Sequence, residues 1–252
     1  MTQAEKARLF ASLHKPGTPV ILFNAWDAGS AKAVAEAGAP AIATGSASVA
    51  AAQGYRDAEA LPLELALANA ARIAEAVELP VTIDFEGGYA VEPEPLAQNM
   101  ARLAATGAVG CNFEDQVIGG EGLHPVAKQA ERIKAARTAV GAEFFINART
   151  DIFLKAKPDT HDGSKVEEAL DRARAYAEAG ASGLFVPGLI DLPLLERLCA
   201  GSPLPVNFMA FPGAPSAEAV VPARVARISH GPFPHRLAMK ALKEAASAIY
   251  SV

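Results

Sequence analysis

Acidic residues gather where apolar runs end. "VTIDFEGGYA" closes on Asp84 and Glu86, and "VGCNFEDQ" carries Glu114 and Asp115. An all-oxygen set with no His or Cys beside it suits a hard divalent cation, Mg²⁺ first and Mn²⁺ second. Three carboxylates at one mouth repel each other and stay ionised only with positive charge among them. Any one acid alone could cap a helix or pair with a base on the rim; the repetition on successive apolar runs is what points to a metal.

A polar and cationic set complements the acids. "FFINARTD" delivers Arg149, whose guanidinium can grip a carboxylate or phosphonate through paired hydrogen bonds, with Asp151 as the competing partner two residues on. "TGSAS" ends another run with small residues, which either leave backbone N–H groups open to an anion or make an ordinary tight turn. Asn24, Trp26, Asp27 and Asn207 close further runs, and Trp26 either walls a pocket or is a core aromatic.

Such residues need a frame that brings chain-distant strand ends together. Eight β-rich runs are legible: Val20 to Asn24, Ala41 to Gly45, Val81 to Phe85, Val109 to Glu114, Phe144 to Arg149, Gly183 to Pro187, Pro205 to Met209 and Val225 to Ser229. Ala-rich stretches with apolar residues three and four apart lie between them, at Leu63 to Val77, Glu94 to Thr106, Ala127 to Val140, Val166 to Ala179 and Pro234 to Ile249. "EAGAP", "ATGAV" and "EAGAS" each put a glycine just past a helix, as a left-handed C-cap requires. The alternation predicts an α/β fold, a (β/α)8 TIM barrel in one domain over residues 1–252, with the strand C-termini carrying the chemistry. An open doubly wound sheet is the alternative. "KPDTHDGSK" is expected to be a loop after the fifth strand that ends in a helix cap.

Composition narrows the function. With 252 residues, a net charge of −5 and no Lys/Arg cluster, the chain lacks the basic footprint of a nucleic-acid or anionic-membrane surface, so a small-molecule partner is expected. The opening "MTQAEKARLF" lacks a signal-peptide core and no apolar run reaches membrane-spanning length, which predicts a soluble, cytoplasmic protein. Cys111 and Cys199 are far apart and predict neither a disulfide framework nor a zinc knuckle.

Together, "TGSASVAAAQGYRD", "DFEGGYA", "NFEDQ" and "NARTD", in this order and spacing, resemble the isocitrate lyase and phosphoenolpyruvate mutase superfamily, over nearly the whole chain from "FNAWDAGSA" to "RISHGP". The resemblance implies a (β/α)8 barrel, a homodimer or homotetramer with the last helix exchanged between subunits, and Mg²⁺-dependent chemistry on 2-oxo acids or their enolates. By position it implies Asp84 as the direct metal ligand, Glu86 and Glu114 as ligands through water, and Asp57 near metal and substrate. Ser46 and Ala47 would hold the substrate carboxylate and ketone oxygen, Arg149 the substrate's far group, and Asn207 a polar contact from the seventh strand.

The sequence departs from the family in the loop after the fourth strand, "EDQVIGGEGLHPVA". It has neither the lysine, cysteine, glycine and histidine of the citrate-type lyases nor the lysine with Thr, Asn or Ser of the phosphonate-processing members. Glu121 and His124 are the titratable side chains it offers after Asp115, and either is a candidate acid/base. The expected function is a Mg²⁺-dependent lyase that cleaves a C–C bond in a methylisocitrate- or oxaloacetate-like substrate through an enolate. A phosphonopyruvate-type hydrolase and a 2-oxo acid binding or sensing barrel are the alternatives.

Overall fold

The computed structural model describes residues 1–251. Thr2 caps the first helix, α1 (Gln3–Ser12), in a reciprocal box with Glu5. Thereafter strands and helices alternate: β1 (Val20–Leu22), α2 (Ala28–Glu36), β2 (Ile42–Ala43), α3 (Ser46–Ala52), α4 (Leu63–Ala76), β3 (Val81–Asp84), α5 (Pro93–Ala105), β4 (Gly110–Glu114), α6 (Val126–Val140) and β5 (Phe145–Arg149). The second half runs through α7 (Ile152–Lys155), α8 (Gly163–Glu178), β6 (Gly183–Phe185), α9 (Leu192–Gly201), β7 (Val206–Met209), α10 (Ala217–Val220), β8 (Arg227–Ser229) and α11 (Phe233–Tyr250).

All eight strands are parallel, in the order β1-β8-β7-β6-β5-β4-β3-β2. The remaining gap between β1 and β2 is spanned by a parallel bridge between Ala25 and Thr44, with Ala25 N–H donating to Ala43 O at 2.8 Å. This is the expected (β/α)8 barrel. The ladders are shorter than the apolar runs, because residues such as Asn24 and Phe85 leave them to enter the βα turns. Asn24 illustrates the reason: its amide donates to Thr44 O and accepts from the His230 and Gly231 N–H groups, tying three strand ends together by side chain rather than by ladder.

Residues two apart share a face, which sorts each strand into a barrel-facing and a helix-facing set. The helix-facing set, with Ile83, Cys111, Phe113, Ile146 and Leu184, fuses with the helices into the main core. Toward the strand N-termini a smaller cluster of Val20, Leu22, Ala43 and Phe145 is plugged by Ala7 and Phe10 of α1. The glycines of the three expected caps, Gly38, Gly107 and Gly180, all have positive φ. "KPDTHDGSK" holds a short 3-10 turn, after which the Asp162 carboxylate accepts the Ser164 and Lys165 N–H groups and caps α8.

No helix among the described residues is long and apolar enough to cross a membrane. Both cysteines are free thiols. α11 leaves β8 with Leu237, Leu242, Ile249 and Tyr250 exposed, and Ile21 on the outer side of β1 and Phe23 just after it are also exposed.

Candidate active site

The C-terminal strand ends enclose a cavity of about 210 Å³ whose lining includes Ser46, Ala47, Asp57, Asp84, Arg149 and Arg236. Asp84, the last residue of β3, is locked by its neighbours: Thr44 Oγ1 accepts its N–H, and its Oδ2 accepts both the N–H and the hydroxyl of Ser46 at 3.0 Å. Oδ1 receives only a long 3.4 Å contact from the Asn112 amide. One carboxylate oxygen is thus spent on orientation and the other is left for a ligand.

Glu86 lies one turn further, at φ +50°. Its two oxygens accept the N–H groups of Ala58 and Glu59 at 3.0 and 2.9 Å. Both of those residues also have positive φ, so the backbone curls into a cradle around the carboxylate. Glu86 therefore fixes the turn that presents Asp57. Burial, with Asp57 adding to it, pushes its pKa up to about 9. A separate void of about 20 Å³ touches Asp84 and Glu86, room for about one water.

Glu114 and Arg149 face each other from adjacent strands. Arg149 Nη1 lies 2.7 Å from Glu114 Oε2, while its Nε and Nη2 donate to the two oxygens of Asp151 at 2.6 and 2.9 Å. Burial raises the Glu114 pKa to about 8 against the opposing pull of Arg149. Asp115 and Asp151 are structural: Asp115 is fully buried and accepts from Arg172, the Tyr176 hydroxyl and the Asp151 N–H.

The donors fit a hard divalent cation. Among the described residues no three His, Cys, Asp or Glu side chains converge into a ligand cluster. Asp84 is the carboxylate that reaches the cavity, with Oδ1 open, while Glu86 and Glu114 are buried behind its wall and do not line it. Two buried carboxyls with raised pKa values beside Asp84 are also a set that added positive charge would stabilise.

Four expected site residues fall elsewhere. Trp26 is half-buried, packs against the cluster of Val49, Ala50 and Leu61 and meets His235 edge-on, and it does not line the cavity. Asn207 is buried below the cavity floor, bonded to the Ser229 hydroxyl at 3.2 Å; on β7 and β8 the cavity is lined by Met209 and Ser229 instead. Glu121 is exposed in a tight hairpin closed by Gln116 and Leu123. His124 is buried away from the cavity, its N–H bonded to Asp115 O and its pKa held below the usual value by burial and by Arg132, Lys128 and Arg172. The loop's titratable side chains thus do not line the cavity in this arrangement.

A family profile described as phosphoenolpyruvate phosphomutase matches residues 10–250. The chain belongs to the phosphoenolpyruvate phosphomutase family. A solved Burkholderia cenocepacia protein, provisionally assigned as a phosphonomutase, superposes with a TM-score of 0.94 at 49% identity, over 99% of this chain and 100% of that one. An uncharacterised protein of Mycobacterium tuberculosis is 35% identical over 241 residues, 95% of this chain and 88% of that protein. The 2-methylisocitrate lyase of Salmonella typhimurium is 28% identical over 260 residues, 96% of this chain and 85% of the lyase. The superfamily's members are lyases and mutases, and this chain is an enzyme of that superfamily.

Three arginines of this family member, of which only Arg236 lines the cavity, escaped the sequence reading. Arg132 of α6 is buried, lies over the Phe113 ring and donates to Gly87 O and Ala90 O at 2.6 and 3.0 Å, so it clamps the chain that follows Glu86. Arg227 is fully buried on β8, two residues before Ser229, with no hydrogen-bond partner for its guanidinium among the described residues. Arg236 lines the cavity from the first turns of α11. A helical period hides the first and third among surface cations, and only an arginine inside the apolar run "VARIS" gave a signal for the second.

Proposed function

We propose that the protein is a divalent-cation-dependent carbon–carbon lyase acting on a small 2-oxo acid or 2-hydroxy polycarboxylate, with Mg²⁺ as its cation and Mn²⁺ as a substitute. The observation that carries this reading is Asp84: Ser46 spends one of its oxygens and the other stays available at a cavity that also holds Asp57 and Arg149. In the reading, Asp84 holds the cation directly and Glu86 and Glu114 hold it through water. Bound there, the cation would supply Lewis-acid stabilisation of the negative charge that develops on an enolate oxygen.

The chain's own residues do the rest. Ser46 and Ala47 orient the carboxylate and ketone end, and Arg149 uses its remaining N–H groups to hold the substrate against β5. Asp57, placed by the Glu86 cradle, takes the proton from the 2-hydroxyl, that of a 2-hydroxy acid or of the hydrate that water forms at a 2-ketone, as the C–C bond breaks. The C2 fragment leaves as a carbonyl product (a carboxylic acid from the hydrate) and the other as an enolate. Leu154, Phe185 and Met209 on the same wall limit water around the developing charge.

We further place the enzyme in a homodimer or homotetramer through exchange of α11. The exposed apolar residues of α11, with the uncovered Ile21 of β1 and Phe23 just after it, are surfaces that a second copy would bury. The test of function is product analysis with methylisocitrate, oxaloacetate and phosphonopyruvate, each with Mg²⁺ and with EDTA. Cleavage of a carboxylate substrate only with Mg²⁺ is expected. Phosphate release from phosphonopyruvate as the sole reaction would replace the lyase reading with a hydrolase, and Mg²⁺-dependent binding without product would replace it with a sensor.

A further inference from the structure

We propose that the barrel interior binds a small monovalent anion, chloride or one of similar size, on the buried guanidinium of Arg227, at a site separate from the barrel-mouth cavity.

Strand alternation places Arg227 inside the barrel. Ile228 belongs to the core between strands and helices and Ser229 lines the cavity, so Arg227 and Ser229 share the inward face of β8. By the same alternation Thr82, Asn112, Asn147 and Asn207 point inward, since Ile83, Cys111, Ile146 and Phe208 pack toward the helices. Arg227 is level with Asn207 on β7 and with Val20 on β1. It lies below Ser229 and does not line the mouth.

The inward side chains leave this guanidinium alone. The Asn147 amide donates to Asn112 Oδ1 at 2.9 Å, the Asn112 amide leans on Asp84, and Asn207 is bonded to the Ser229 hydroxyl. Arg227 is fully buried, and its Nε, Nη1 and Nη2 meet no acceptor among the described residues. The Thr82 hydroxyl, buried on the same inward face, has no partner either. The other buried arginines contrast with it: Arg132 donates to Gly87 O and Ala90 O, and Arg172 to Asp115 and His124 O.

Charge decides what kind of ligand answers these donors. Burial lowers the Arg227 pKa to about 10 against the pull of Asp84, so the side chain is a cation at neutral pH. A cation buried without a counter-charge is strongly unfavourable. Water would accept its N–H groups and leave the charge; an anion accepts them and neutralises it. Asp84 cannot serve as the direct partner, because its Oδ2 is held by Ser46 and its Oδ1 faces Asn112. Val20, Leu22, Ala43 and Phe145 close the barrel beneath, with α1 as plug, which favours a monatomic anion over a carboxylate or phosphate. Seated there, the anion would stabilise the inward face of β8, the strand that pairs with β1.

The test uses the whole protein and bromide as the probe. Parent crystals grown in submolar sodium bromide and measured at the bromine absorption edge are expected to show an anomalous peak within hydrogen-bonding reach of the Arg227 guanidinium. In solution, bromide or chloride replacing gluconate, an anion too large for the interior, at fixed ionic strength is expected to raise the parent's melting temperature. The rise should be about 5–10 °C at roughly hundredfold excess over the dissociation constant, and Arg227→Met should lose it. If Arg227→Met does not fold, the parent's anomalous map decides alone. No bromide at Arg227, or a melting response that Arg227→Met retains, overturns the assignment. Bromide seated there only at molar salt would be an adventitious ion only, and overturns it as well.

Discussion

Arg149 stands between two acids, with Nη1 2.7 Å from Glu114 and Nε 2.6 Å from Asp151. All three are largely buried, so removing the cation leaves two carboxyls without compensation in a low-dielectric wall. Arg149→Met is expected to lower the unfolding free energy by about 3–5 kcal/mol in urea denaturation, and to abolish turnover. Arg149→Lys, which cannot span both oxygens of Asp151 in a fork, is expected to keep the fold with a smaller loss and still turn over poorly.

The segment after β3 depends on a glycine that only glycine can fill. Gly88 has φ +79°, and a Cβ there would run into Leu96 Cδ1 and approach Phe113 Cε2 to 3.2 Å. Gly88→Ala is expected to destabilise the protein by about 2–4 kcal/mol in thermal or urea unfolding, since strain and overpacking act together. Gly119→Ala, in open space at φ +72°, is the control and is expected to cost about 1 kcal/mol.

His14, at the opposite end of the barrel from the cavity, predicts an acid-sensitive fold. It stacks on Phe145 at 4.1 Å, meets Phe10 edge-on and bonds to Phe10 O through Nδ1. Burial first, and the Arg227 charge second, lower its pKa to about 3. The unfolded chain binds a proton at about pH 6.5 that the fold rejects, so this contribution is present above that pH and is lost as pH falls toward 3. Between pH 7 and 4 the parent is expected to lose more stability than His14→Phe, measured by unfolding midpoints at fixed ionic strength. Parallel pH profiles would contradict the assignment.

The loop between β4 and α6 gives a prediction about turnover. Glu121 faces solvent and His124 is turned away from the cavity behind Asp115. Glu121→Gln is expected to keep turnover within about twofold, because a change at an exposed, unpaired site removes no contact. His124→Asn is expected to act through stability, with a lower melting temperature and KM unchanged. A loss of turnover of a hundredfold in either variant at unchanged melting temperature would show that the hairpin moves onto the substrate.

The barrel was legible in the sequence because each strand is a compact apolar run, most of them closed by a polar residue, and because helices end at glycines such as Gly107 and Gly180. Asp84, Ser46 and Arg149 were legible for a related reason, since a polar residue that closes or follows an apolar strand run is carried to the mouth, whereas Asp57 lies in the turn between α3 and α4 and was signalled only by the family resemblance of "YRD". Trp26 and Asn207 follow the same rule by position while their side chains turn elsewhere in this structure, Trp26 toward the α3 cluster and Asn207 to the Ser229 hydroxyl. Arg132 and Arg236 stayed hidden because a cation on an amphipathic helix has the same pattern whether it meets solvent, a backbone carbonyl or a cavity. The cradle around Glu86 was hidden as well, since nothing in "DAEA" announces that Ala58 and Glu59 both adopt positive φ.

The central claim is that Asp84 holds a divalent cation at the mouth of the barrel. Crystals grown with Mn²⁺ and oxalate, measured at the manganese absorption edge, test it most directly. An anomalous peak about 2.1–2.2 Å from Asp84 Oδ1, with waters toward Glu86 and Glu114 and no peak in Asp84→Asn, is the predicted result. Oxalate bound in the cavity with no anomalous peak near Asp84, or a peak of equal height in Asp84→Asn, would contradict it.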